Sequence, residues 1–126
     1  MKTAHDLVLA AKAQCHEVSV KDATDVLLTA DAILDVREAD EYAAGHLAGS
    51  MNIPRGLLDF KLSGTPALER RDLSVVLYCK TGGRSALAAT TMQSMGYMNV
   101  ESIAGGYDAW LAEGMPVVRP AQPTFD

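Results

Sequence analysis

Cysteine is scarce in this chain, which has 126 residues and only two cysteines, Cys15 and Cys79. They do not form a C-x-x-C pair, so neither a disulfide framework nor a dithiol motif is expected. His5 and His16 have no acidic or thiol partners at ligand spacing. The sequence therefore predicts no metal site, and no metal or organic cofactor has visible ligands.

Long apolar runs and an excess of positive charge are also absent. No apolar run approaches the ~20 residues of a membrane-spanning helix. The formal net charge is −5, which argues against a general nucleic-acid-binding surface. The N-terminus lacks a basic region followed by an apolar core and a small-residue cleavage site. We therefore expect a cytoplasmic protein without a membrane or nucleic-acid partner.

The residues that are present fit an ordinary globular protein. Hydrophobic residues make up 48% of the chain and charged residues 21%. The length is sufficient for one hydrophobic core, and we find no internal repeat or linker. These features predict one domain over residues 1–126, with an extra N-terminal helix over residues 1–15 and an extended or partly disordered tail over 117–126.

One stretch, from Val75 to Met95, combines a strand, a short turn and a helix. The sequence V-V-L-Y-C is apolar and β-prone, as is typical of a strand buried on both faces. The segment from Ser85 onward is rich in alanine and has apolar residues at helical spacing. Between them lies the turn K-T-G-G-R, which starts directly after Cys79.

The predicted position of Cys79 has chemical consequences. The first N–H groups of a helix lack intrahelical acceptors, and the helix dipole adds partial positive charge at that end. Gly82 and Gly83 allow successive amides to form a concave anion-binding nest, to which Lys80 and Arg84 add charge. This setting favours a thiolate, which is the nucleophilic form of cysteine, and an anionic substrate beside it.

Other parts of the chain predict further strands that alternate with helices. Such alternation implies right-handed βαβ crossovers and a mostly parallel sheet with helices on both faces, so the fold class is α/β. Ser63 to Pro66 is predicted to be a turn, and Ala67 to Asp72 a short helix or loop. The other predicted strands are 16–18, 32–36, 51–53 and 99–103, and the other predicted helices are 3–14, 19–29, 38–44, 56–61 and 105–113.

Four segments, taken together and in order, resemble the rhodanese-like (sulfurtransferase) domain family. Each segment alone is only moderately specific, and the resemblance as a whole covers roughly Val18 to Pro116. The segments are D-V-R-E at Asp35 to Glu38, E-Y-A-A-G-H-L-A-G-S-M-N-I-P at Glu41 to Pro54, C-K-T-G-G-R-S at Cys79 to Ser85, and G-G-Y-D-A-W at Gly105 to Trp110.

The resemblance implies a five-stranded, mostly parallel sheet and sulfur transfer through a persulfide on Cys79. In the family, a sulfane sulfur donor such as thiosulfate loads the cysteine. The sulfur then passes to cyanide, a thiol or a protein acceptor, which is covalent two-step catalysis. The expected partners are therefore a small anionic sulfur donor and a thiophilic acceptor. A protein donor or acceptor remains open, and no metal or organic cofactor is required.

The residues around Cys79 are predicted either to bind the substrate or to support the pocket, and several of them also have a purely structural interpretation. We predict substrate binding by the loop residues, although Lys80 and Thr81 could simply face solvent and Arg84 could mainly fix the loop. Asp35 and Arg37 are predicted to support the pocket, either as its wall or as an ion-paired cluster that holds the loops. The substrate-binding set is Lys80, Thr81, Gly82, Gly83 and Arg84, and the pocket-supporting set is Asp35, Arg37 and Ser85, where Ser85 resembles a helix-capping residue.

Several other residues have a structural interpretation beside a functional one. Cys15 could be a resolving thiol for Cys79, but a small buried side chain on a helix is favoured. His46 is interpreted as structural rather than as a base for the cysteine. Asp40 or Glu41 is expected on a helix surface. Tyr107 and Trp110 are expected to cap the core.

Two other functions are compatible with the fold. A cysteine-dependent phosphatase or arsenate reductase also uses Cys and Arg around a loop, but such sites have five residues between them. Here there are four, Lys80 to Gly83, which favours a single sulfur atom over a tetrahedral oxyanion. A persulfide carrier or regulatory interaction module for a protein partner is the other alternative.

Overall fold

The computed structural model describes residues 1–120, and residues 121–126 of the predicted tail lie outside the described residues. Five strands form one parallel sheet in the order β1-β5-β4-β2-β3. The strands are β1 His16–Val18, β2 Ala32–Asp35, β3 Met51–Asn52, β4 Ser74–Tyr78 and β5 Asn99–Ile103. The predicted α/β class and parallel sheet are confirmed.

Within residues 1–120 the strands are accompanied by six α-helices and two short 3₁₀ turns, with the first helix before β1 and the last after β5. The helices are α1 Ala4–Gln14, α2 Val20–Thr29, α3 Ala39–Ala44, α4 Leu58–Gly64, α5 Gly83–Ser94 and α6 Gly106–Ala112, with 3₁₀ turns at Arg55–Leu57 and Pro66–Leu68. Thr3 and Asp6 form a capping box at the start of α1, and the Ser19 hydroxyl accepts a hydrogen bond from the Asp22 amide at the start of α2. Local capping therefore fixes both N-terminal helix starts.

The central strand β4 separates two hydrophobic clusters. Its alternating side chains pack on opposite faces, with Leu77 in one cluster and Tyr78 in the other. Helices α4 and α5 cover the first face, and α1 packs against α5. Helices α2 and α6 cover the second face. Cys79 follows β4 and belongs to the first cluster, so its side chain lies on the α1–α5 side.

Two predicted boundaries are wrong for identifiable reasons. Ser63 and Gly64 belong to helix α4 instead of the predicted turn. The helix continues until Thr65, which is extended (φ −115°, ψ 104°) because it precedes Pro66. Gly83 and Arg84 belong to the first turn of α5. The loop between Cys79 and the helix is therefore shorter than the sequence predicts.

Residues 1–120 contain no helix that is long and apolar enough to span a membrane. The described part of the predicted tail includes an antiparallel bridge between Val118 and His46, whose backbone groups exchange hydrogen bonds of 2.9 and 2.7 Å. This bridge holds Val118 beside the loop that follows α3. Residues near the C-terminus thereby contribute to the surface next to the cysteine loop.

Candidate active site

Cys79 lies at the C-terminal edge of the sheet, enclosed by the loop that leads into α5. Its side chain and backbone are only 1% exposed. The Gly82 amide donates a hydrogen bond of 3.1 Å to the Cys79 sulfur. Gly82 precedes α5 with φ +102°, a conformation that favours glycine. The sulfur therefore faces a backbone donor at the positive end of a twelve-residue helix.

The first turn of α6 holds the other side of this loop. The Tyr107 and Asp108 amides donate hydrogen bonds of 2.8 and 3.0 Å to the carbonyl oxygens of Cys79 and Lys80. Gly106 has φ +60°, and a Cβ at this position would collide with both carbonyl groups. The close approach of the two loops therefore requires glycine at this position, which explains one residue of the G-G-Y-D-A-W segment.

Two serine hydroxyls lie behind the sulfur, and both are completely buried. Ser85 is in the first turn of α5, and its hydroxyl lies 3.5 Å from the Cys79 sulfur and 3.3 Å from the Gly82 carbonyl oxygen. Ser102 on β5 donates a hydrogen bond of 2.7 Å to the Ser85 hydroxyl. The helix-capping interpretation of Ser85 is thus wrong, because Gly82 occupies the N-cap and Ser85 faces inward.

The cationic loop side chains are paired with acids from other elements. Arg84 forms a two-pronged ion pair with Glu41 of α3, with N–O distances of 2.7 and 3.0 Å. Lys80 forms an ion pair of 2.8 Å with Asp108 of α6 and remains more than half exposed. Thr81 is exposed, and its side chain makes no hydrogen bond within residues 1–120. Much of the positive charge expected around the cysteine is therefore neutralised by nearby carboxylates.

The Arg84–Glu41 pair changes the ionisation of both groups. The hydrogen bonds from Arg84 lower the pKa of Glu41 from 4.5 to about 2, against the opposing effect of burial. The hydrogen bond with Glu41 likewise raises the pKa of Arg84. Asp40 is exposed on α3, as expected, whereas Glu41 of the same helix is partly buried and ion-paired. Sequence spacing could not reveal the pair because its members are 43 positions apart.

We predict that the Glu41–Arg84 pair stabilises the fold in a pH-dependent manner. Because folding lowers the pKa of Glu41, its contribution is present above pH 4.5 and is lost as the pH falls towards 2. At pH 7, Glu41→Gln should lower the free energy of unfolding by about 1 kcal/mol. This difference from the unsubstituted protein should shrink by more than half near pH 3, as measured by urea denaturation.

The matched control for this prediction is Asp40→Asn, which changes the same charge on the exposed neighbouring position of α3. It should have a smaller effect that changes little over the same pH range. A Glu41→Gln difference that stays constant or grows on acidification would contradict the assignment of the pair.

Asp35 and Arg37 form a buried ion pair on the sheet face opposite Cys79. Neighbouring Leu34 and Val36 pack in the α4–α5 cluster, so the intervening Asp35 side chain lies on the other face. The Arg37 guanidinium donates to both carboxylate oxygens of Asp35 and to the Gly45 carbonyl oxygen. Burial would lower the pKa of Arg37, but hydrogen bonding to Asp35 raises it overall.

A cavity of about 290 Å³ lies beside the cysteine loop. Cys79 is not among its lining residues, and Lys80 is the loop residue that borders it. The walls combine apolar side chains with three cationic and two acidic groups. Arg37, Glu41, Ala44, Gly45, Lys80, Tyr107, Asp108, Leu111 and Arg119 line the cavity. It can accept a small anionic or mixed polar and apolar group next to the loop.

The remaining predicted residues lie in structural positions. The His46 ring stacks on Tyr42 with a centroid distance of 3.8 Å, and its Nδ1 lies 3.0 Å from the Tyr42 carbonyl oxygen. Trp110 is buried and donates its indole N–H to the Pro116 carbonyl oxygen. Tyr107 lies under the Arg37 guanidinium and lines the cavity. Within residues 1–120, no cluster of three His, Cys, Asp or Glu side chains could hold a metal ion.

Comparisons with known proteins agree with this architecture. The family model described as "Rhodanese-like domain" matches residues 19–113. The chloroplastic thiosulfate sulfurtransferase 16 of Arabidopsis thaliana is 36% identical over 108 residues, covering 79% of this chain and 89% of the relative.

Two solved structures are similar over most of this chain. The polysulfide-sulfur transferase homodimer of Wolinella succinogenes has a TM-score of 0.77 and 34% identity, covering 91% of this chain and 86% of that one. A Rhodopseudomonas palustris protein of unknown function, described as a possible tyrosine phosphatase, has a TM-score of 0.84 and 31% identity, covering 94% and 96%.

Proposed function

Because the chain belongs to the rhodanese-like domain family, we propose that it is a sulfurtransferase that carries sulfur as a persulfide on Cys79. The proposal rests on one observation above all. The Cys79 sulfur accepts the Gly82 amide hydrogen bond at the N-terminus of α5, inside a loop that leaves little space around it. That arrangement suits a thiolate and then a terminal persulfide sulfur.

The first step transfers sulfur from an anionic donor such as thiosulfate or a persulfide. The Cys79 thiolate attacks the sulfane sulfur of thiosulfate, a new sulfur–sulfur bond forms, and the bond to the sulfonate sulfur breaks. Sulfite leaves with the electron pair, and the enzyme retains the anionic persulfide. The helix N-terminus and loop amides stabilise negative charge throughout this exchange.

The second step regenerates the thiolate. A thiophilic acceptor, such as cyanide or a thiolate, attacks the outer sulfur of the persulfide, and the Cys79 thiolate leaves. The cavity beside Lys80 can hold the donor or the acceptor next to the loop. Because Lys80 is half exposed and paired only with Asp108 among its ionic contacts, it can exchange that pairing for an incoming anion.

The loop length distinguishes this proposal from phosphatase chemistry. Four residues separate Cys79 from Arg84, and the Arg84 guanidinium is held by Glu41 instead of facing an empty oxyanion site. A tetrahedral oxyanion needs a wider ring of donors and an available arginine. These features support sulfur transfer over aryl phosphate hydrolysis.

We predict that purified protein incubated with thiosulfate gains the mass of one sulfur atom, which maps to the peptide containing Cys79. Subsequent addition of cyanide should remove this mass and form thiocyanate. Intact-mass spectrometry and thiocyanate detection measure the two steps separately. Rapid loading from a low-molecular-weight persulfide with poor thiosulfate turnover would instead favour the persulfide carrier. Hydrolysis of an aryl phosphate without sulfur uptake would contradict the sulfurtransferase proposal.

A further inference from the structure

A line of polar side chains extends from Cys79 into the layer between the sheet and α1. Ser85 approaches the sulfur, and Ser102 donates to Ser85. Ser102 of β5 lies in register with Glu17 of the neighbouring strand β1. Side chains at paired positions of neighbouring strands lie on the same face of a sheet. The Glu17 carboxylate therefore belongs to the polar region behind the cysteine loop.

The Glu17 carboxylate is incompletely satisfied. Its Oε2 atom is buried and has no hydrogen-bond partner within the described residues. The nearest ionic partner is the Lys12 ammonium of α1, with an N–O distance of 4.0 Å, beyond hydrogen-bond range. The Glu17 side chain as a whole is 26% exposed, and the Lys12 ammonium is the cation that lies beside its buried oxygen.

The Lys12 ammonium reaches the back of the cysteine loop. Its nitrogen lies 3.8 Å from the position that a Cβ on Gly82 would occupy. Gly82 is the residue whose amide donates to the Cys79 sulfur. Val8, one turn earlier on α1, lies 3.5 Å from the corresponding position on Gly83. Helix α1 thus packs beside Gly82 and beside Gly83, the first residue of α5.

Lys12 and Glu17 precede the segment that matches the family model, residues 19–113. The interaction between α1 and the loop is therefore a property of this chain that the family match does not cover. Three ion pairs near the loop are closer, at 2.7–2.8 Å, namely Lys80 with Asp108, Arg84 with Glu41 and Arg37 with Asp35. Compared with these pairs, the Lys12–Glu17 pair leaves its cation less neutralised.

We propose that Lys12 is a positioning residue that acts through the Gly82 turn to favour the Cys79 thiolate, and that Glu17 limits this effect. A positive charge behind the loop stabilises the anionic sulfur, whereas a negative charge in the same place opposes it. The role of this effect in catalysis rests on the proposed function. The effect on thiol ionisation does not, so the two can be tested apart.

The test is a titration of thiolate absorbance in the far ultraviolet on the full chain. Every variant is made in the Cys15→Ala background, because Lys12 and Glu17 also act on the Cys15 thiol. The Cys15→Ala and Cys79→Ser double variant is the reference that isolates Cys79. Lys12→Met should move the midpoint upward by about half a pH unit or more, whereas Lys12→Arg should preserve it. Glu17→Gln should move the midpoint downward. Lys21→Met removes the same charge from an exposed position on α2 and should leave the midpoint unchanged.

Opposite shifts for Lys12→Met and Glu17→Gln support the inference, since general loosening of the loop would move both in one direction. Shifts of the same sign, or equal effects of Lys12→Met and Lys21→Met, overturn it. Sulfur loading from thiosulfate is measured in parallel. If the unsubstituted protein takes up no sulfur while the opposite shifts persist, the proposed function fails and the role of Lys12 stands.

Discussion

Cys79→Ala is expected to abolish persulfide formation and to lower thiosulfate:cyanide turnover by on the order of 10³-fold or more. Alanine removes the only group in the loop that can form a covalent bond to the transferred sulfur. The substitution should leave the fold intact because Cys79 is a small member of a large cluster. Thiocyanate formation and intact mass after thiosulfate treatment measure the loss.

Cys15→Ala is the matched control, since it removes the other thiol of the chain. Cys15 precedes β1, whereas Cys79 follows β4. In a parallel sheet these positions lie at opposite edges, so Cys15 cannot reach Cys79 as a resolving thiol without unfolding. Burial and the Glu17 charge also raise the pKa of Cys15, which disfavours its thiolate. Cys15→Ala should retain sulfur loading, and sulfur uptake by Cys79→Ala would overturn the assignment.

Local sequence patterns predicted much of the fold because they report local physics. The span His16–Val18 and the span Asn99–Ile103 agree residue for residue with β1 and β5. Ser19 is the N-cap of α2, as its hydroxyl and position indicated. The C-terminal end of α4 was missed because the small and polar residues Ser63 and Gly64 resemble a turn, although the helix stops only where Pro66 restricts Thr65.

The site was less predictable because its partners come from distant parts of the chain. The pattern around Cys79 indicated the loop, but not that Glu41 and Asp108 pair with its two cations. The position of Lys12 beside Gly82 and the hydrogen bond from Ser102 to Ser85 depend on how α1 and β5 pack. No periodicity in the sequence encodes these distances. Among these long-range contacts, the family resemblance indicated only those in which a motif residue itself takes part, such as the approach of Gly106 to the cysteine loop.

Arg37→Met is expected to lower the free energy of unfolding by about 3–5 kcal/mol, as measured by urea denaturation. Asp35 and Arg37 have side chains that are 0% and 4% exposed. Removing the guanidinium leaves the Asp35 carboxylate without its ionic partner and deprives the Gly45 carbonyl of a donor. Arg70→Met, which breaks the exposed Arg70–Asp72 pair, should have a much smaller effect on the free energy of unfolding.

A double substitution separates the cost of breaking the Asp35–Arg37 pair from the net contribution of the pair. In the Asp35→Leu and Arg37→Met double variant, no unpaired charge remains buried, so stability should recover in part relative to Arg37→Met alone. Recovery would show that the pair stabilises the fold chiefly because each buried charge needs the other. The hydrogen bond from Arg37 to the Gly45 carbonyl separately positions Gly45 and the cavity wall. A loss below about 1 kcal/mol for Arg37→Met would contradict the buried assignment. Additive losses in the double variant would instead show that each side chain stabilises the fold independently.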